Sequence, residues 1–64
     1  MEFNKDIKII EAILFASSEP VSEEDLKDKI YTKENLSEYL IKLKDYYSNR
    51  GFNLINTGAF WSFR

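Results

Sequence analysis

The stretch from Ile7 to Pro20, IKIIEAILFASSEP, constrains this chain more than any other. Ile7, Ile10 and Leu14 recur at helical spacing, and Ile13 extends the stripe by the i, i+3 rule. Ile9 and Phe15 carry apolar surface well beyond that stripe, so the segment is hydrophobic around much of its circumference. A helix of that kind does not lie on a surface; it has to be wrapped on several sides, by other elements or by a second copy of the chain. Its end is marked by Ser17-Ser18 ahead of Glu19-Pro20, because the residue before a proline is pushed out of the α region.

Two further helices are predicted. Ser22 reads as an N-cap, with Glu23, Glu24 and Asp25 crowded into the first turn, where the helix dipole favours acids. This second helix is short, with Leu26 and Ile30 on one face. It ends near Tyr31-Thr32, and Thr32 is placed to cap the next helix. The third helix runs from about Lys33 to Tyr47, where Leu36, Tyr39, Leu40, Leu43, Tyr46 and Tyr47 form an amphipathic stripe. Ser48-Asn49-Arg50-Gly51 is its stop, with Gly51 expected in the left-handed conformation and Arg50 at the negative end of the dipole.

The period then changes. Phe52, Leu54 and Asn56 alternate with Asn53, Ile55 and Thr57, Thr57-Gly58-Ala59 is a turn, and Phe60 to Arg64 reads as a second strand with Trp61 and Phe63 on one face. A lone hairpin is marginal in water, so this one has to lean on the helices. Helix, short extended piece at Val21, helix, helix, hairpin is the order of a winged helix domain. The predicted fold is therefore mainly α, a three-helix core whose open side is covered by a small antiparallel β-hairpin, the wing. A bare three-helix bundle is the rival, and the break in period after Gly51 counts against it.

The chain of 64 residues is read as one domain, 1–64, whose thin stability margin is offset by large core pieces, 16% of the residues being aromatic. There is no cysteine and no histidine, which removes disulfides, thiol chemistry, the commonest general base and the commonest metal ligand. Glu23, Glu24 and Asp25 sit together, but adjacent helical residues do not face one another, and a helix N-terminus accounts for them. No catalytic, cofactor-binding or metal-binding residue is assigned, and the chain is not expected to be an enzyme. The opening MEFNKDIK reads as neither a signal peptide nor a membrane span, so the expectation is a soluble cytoplasmic protein.

Winged helix domains often read DNA through the third helix. Here Lys33, Lys42 and Lys44 are balanced by Glu34, Glu38 and Asp45, the second helix is acidic, and the net charge is −2. Since non-specific affinity comes mostly from neutralising phosphates, weak or no duplex binding is expected, with Lys42, Lys44 and Arg50 left as a small basic corner. Tyr39, Tyr46, Trp61 and Phe63 fall on core faces, whereas Phe60, near the turn, and Ile41, off the third stripe, are less easily buried. Together with the girth of the first helix they make an association surface, for which Ile9, Ile13 and Phe60 are the contact candidates.

The run Ile10-Glu11-Ala12-Ile13-Leu14-Phe15-Ala16-Ser17-Ser18-Glu19-Pro20-Val21-Ser22 resembles the "IEALLFASGEPLS"-like opening of the segregation and condensation protein B family. Arg50-Gly51-Phe52-Asn53-Leu54 is similar to that family's "RGIEL"-like approach to the wing, and Trp61-Ser62-Phe63-Arg64 to its outgoing wing strand. The resemblance covers essentially the whole chain after the first few residues. It implies a non-enzymatic subunit of the bacterial chromosome-condensing complex, acting as a homodimer that binds the kleisin subunit bridging the heads of the SMC ATPase. It also implies a cytoplasmic protein associated with the nucleoid through that complex, with self-association carried by the N-terminal domain. Two departures stand out: the family's wing turn is glycine-rich where this chain has Gly58-Ala59-Phe60, and family members carry two winged helix domains. The chain is accordingly expected to be the N-terminal domain of a longer, two-domain protein. The alternative reading is a fragment of a winged helix transcription regulator, which requires a basic recognition face.

Overall fold

The computed structural model describes residues 4–64. Helix α1 spans Lys5–Ala16, and Asn4 caps it by accepting the Ile7 N–H through its side chain at 2.9 Å. The helix ends at Ser17, which turns extended and donates its hydroxyl back to the Ile13 carbonyl at 2.8 Å. Strand β1 is Val21–Ser22 and helix α2 is Glu23–Lys29. Ser22 caps α2 as expected, accepting the Asp25 N–H at 3.1 Å. The third helical segment opens as a 3₁₀ turn, Lys33–Asn35, before α3 proper, Leu36–Tyr46. Strands β2, Leu54–Thr57, and β3, Phe60–Phe63, complete the chain.

Three helices and a small antiparallel sheet in this order are a winged-helix-like, mainly α fold. The sheet has three strands rather than the two of a simple hairpin, in the order β1-β3-β2. Val21 pairs with Trp61 and Ser22 with Phe60, so the short extended piece after Pro20 is the wing's third strand. On the other side Leu54 pairs with Phe63, Ile55 with Ser62, Asn56 with Trp61 and Thr57 with Phe60. Opposed residues share a face. Leu54, Trp61, Phe63 and Val21 therefore turn toward the helices, and Ile55, Thr57, Phe60 and Ser62 turn away. Gly58 has φ +63, and no other described residue has a positive φ. A two-residue loop with Gly left-handed in its first position has the type II′ pattern, which needs a glycine only there.

The core gathers Ile7, Ile10 and Leu14 of α1, Leu26 and Ile30 around α2, Leu36, Tyr39, Leu40 and Leu43 of α3, Tyr47, Leu54 and Trp61. Ile10, Leu26, Leu40 and Leu43 are fully buried, each stabilising by roughly 1.5–3 kcal/mol relative to exposure.

Two sequence expectations about the connections are corrected. Thr32 makes no side-chain cap. Its N–H and that of Tyr31 are instead bound by the buried carboxylate of Asp6, at 2.8 and 3.0 Å, which closes the α2–α3 connection from α1. Gly51 is not left-handed; the chain leaves α3 through Ser48 and Arg50 N–H bonds to the Asp45 and Tyr47 carbonyls.

The Tyr31 N–H holds the Asp6 carboxyl below its ordinary 3.8; desolvation opposes this, and Thr32 and Lys33 add to it. A lowered folded-state pKa contributes stability that is present above 3.8 and lost as pH falls through the folded value. Asp6→Asn should lower the melting temperature at neutral pH and flatten its fall below pH 3.8 in thermal unfolding followed by circular dichroism. An unchanged acid limb would remove Asp6 as the anchor.

Candidate protein-association surface

Where α1 ends, α3 ends and the wing begins, five aromatic rings meet. Phe15 stacks on Phe63 with centroids 4.2 Å apart, and meets Phe52 and Tyr47 edge-on at 5.5 and 5.9 Å. Tyr47 is in turn edge-on to Phe63 at 4.9 Å and to Tyr46 at 5.1 Å. The edge-on separations are ones that aromatic pairs prefer. Tyr47 is the cluster's buried member, while Phe15 is 46% and Phe52 52% exposed. Helix α1 thus packs against α2, α3 and β3, and Phe15 near its end keeps part of its ring in solvent.

The Tyr47 hydroxyl donates to Glu11 of α1. Burial first, and that carboxylate second, push the phenol up to about 12. Trp61 is fixed by its indole N–H, which donates to Glu23 at 2.7 Å, while the Glu23 N–H donates to the Ala59 carbonyl at 2.8 Å. Glu23 therefore ties the start of α2 to the wing instead of joining an acidic site. Among the described residues no group of three His, Cys, Asp or Glu could hold a metal ion, and no helix is long and apolar enough to cross a membrane.

Three of the cations near α3 have local partners. Lys33 donates its ammonium to the Lys27 and Ile30 carbonyls, both at 2.8 Å, closing the C-terminal end of α2. Lys42 pairs with Glu38 at 3.4 Å. Arg50 donates to the Tyr46 carbonyl at 3.2 Å and lays its guanidinium over the Tyr46 ring at 4.1 Å. Two of the three cations of the expected basic corner thus have local partners.

Of the sequence candidates, Ile9 and Ile13 are half-buried and pack against the core, and Phe60 is 49% exposed on the outward face of the wing, diagonal to the exposed Ile55. Ile13 and Phe60 line two different grooves, which share Glu19 and Pro20. Ile41 stands 64% exposed on α3. The Phe15–Phe52 pair was outside the sequence reading. The signal for it was Phe15 lying off the α1 stripe near the helix end, and its partner in the ring contact lies 37 residues away.

The family model described as Segregation and condensation complex subunit ScpB matches residues 8–64. No curated protein and no solved structure matches the chain.

A raised phenol pKa contributes stability that is complete below pH 10 and is lost as pH rises toward about 12. Urea unfolding across this interval should show the midpoint falling in the wild type and falling less in Tyr47→Phe. Parallel curves would show that Tyr47 titrates alike in both states.

Proposed function

The chain belongs to the segregation and condensation complex subunit ScpB family, and from that premise we propose that it is a non-catalytic scaffold of the bacterial SMC–kleisin complex that condenses and segregates chromosomes. In this reading two copies pair, and the dimer binds the kleisin subunit and so bears on the SMC ATPase. It works in the cytoplasm, on the nucleoid through the complex.

One contrast carries the reading. The folded surface keeps large apolar side chains in water, while three of the cations near α3 have partners within the chain. Phe15, Ile41, Phe52, Ile55 and Phe60 are exposed, whereas Lys33, Lys42 and Arg50 serve helix ends, Glu38 and Tyr46. Exposed aromatic surface suits association with protein. A transcription regulator needs the reverse, cations free for phosphates and polar groups for base edges.

Sedimentation velocity tests the pairing. The wild type should sediment as a dimer, and Phe60→Glu, which changes an exposed position, should shift it toward monomer with its circular dichroism unchanged. Ile13→Glu should do the same only with loss of stability, because Ile13 also packs against the core. A wild type monomeric at every concentration would sink the pairing, and a dimeric Phe60→Glu would remove Phe60 from the interface.

A further inference from the structure

An open groove of about 710 Å³ runs between the C-terminal turn of α1 and α2. Ile13, Ala16, Pro20 and Val21 give it an apolar lining. The exposed carboxylates of Glu19, Asp25 and Asp28 line it as well, and Lys29 is the single cation among the lining residues.

The helix end beside it adds to this imbalance. A helix C-terminus carries partial negative charge, which Lys or Arg in the last turn usually offsets. The last turn of α2 carries Lys27 and Lys29 and receives Lys33, and that of α3 carries Lys44 and receives Arg50. The last turn of α1 carries no basic residue, and Ala16 and Ser17 of that end line the groove. An apolar lining, three carboxylates and a helix C-terminus with no cation in its last turn therefore face one space.

We propose that this groove docks a cationic amphipathic segment of a partner protein. Its apolar side chains seat on Ile13, Ala16, Pro20 and Val21, and its flanking Lys or Arg side chains face Glu19, Asp25, Asp28 and the end of α1. A second copy of this chain, with net charge −2, is poorly matched to such a surface. The proposal rests on the scaffold reading and adds to it a docking site and the chemistry of the segment that fills it.

The test is a titration of the ¹⁵N-labelled protein with a synthetic amphipathic helix of Leu and Lys, with its Leu/Glu counterpart as control. The Leu/Lys helix should produce saturable amide shifts centred on Ala16, Ser17, Asp25 and Asp28, and the control none. Glu19→Lys combined with Asp28→Lys should weaken binding about tenfold, because attraction is replaced by repulsion at two points. The Asp28→Lys change places a cation in the last turn of α2, where the dipole favours it, and the spectrum away from the groove reports that the fold is kept. Absence of saturable binding, equal binding of the Leu/Glu helix, shifts centred on Phe15, Phe52 or Phe60, or undiminished binding by the double variant would each overturn the proposal. Sedimentation of the same samples separates the two readings: groove binding by a monomeric protein sinks the pairing and supports the groove.

Discussion

A first helix that is apolar on more than one side has to be covered from more than one direction, and in this chain that demand sets the positions of everything else. Ile7, Ile10 and Leu14 are buried, and Ile9 and Ile13 pack against the same core from its edge. The acids of α1 are as consequential as its apolar residues. Asp6 holds the backbone of the α2–α3 connection, and Glu11 receives the Tyr47 hydroxyl at the end of α3. The wing is tied separately, through the Glu23 bonds to Trp61 and Ala59. Those made to the Asp6, Glu11 and Glu23 carboxylates are charge-assisted and orient elements that apolar packing alone would leave free to slide.

The same economy bears on function. A small domain has few cations near any one face, and each cation used to close a helix end is withdrawn from other partners. Lys33 and Arg50 satisfy carbonyls that a helix C-terminus otherwise leaves to water. Meanwhile the wing turns Phe60 and Ile55 outward, and Phe15 and Phe52 reach solvent at the junction of helices and sheet. Large apolar side chains are thus exposed among charges of both signs, with 11 acids to 9 bases, a balance that suits protein partners better than a phosphate backbone.

Much of this fold was legible in the sequence because it rests on local period. The stripes of α1 and α3, the Ser22 cap and the change of period after Gly51 are all properties of neighbours a few residues apart, as were the awkward positions of Phe60 and Ile41. The family resemblance, carried by the run Ile10 to Ser22, is matched by the family model over residues 8–64. The features that escaped the sequence depend on distance along the chain. Asp6 finds its partners 25 and 26 residues away, and β1 is a strand only because β3 passes beside it. Phe15 and Phe52 carry no local sign of each other. Gly51 was misread because glycine after a helix permits a left-handed residue without requiring one.

The central claim, that this winged helix offers its surface to proteins and not to DNA, is tested most directly by fluorescence anisotropy of labelled duplex, titrated with the protein at about 50 and about 200 mM salt, between which phosphate-driven binding must fall steeply. The account predicts no saturable binding at either salt. Tight binding at the lower salt that collapses at the higher would contradict it, and α3 would then have to be read as a groove-reading helix.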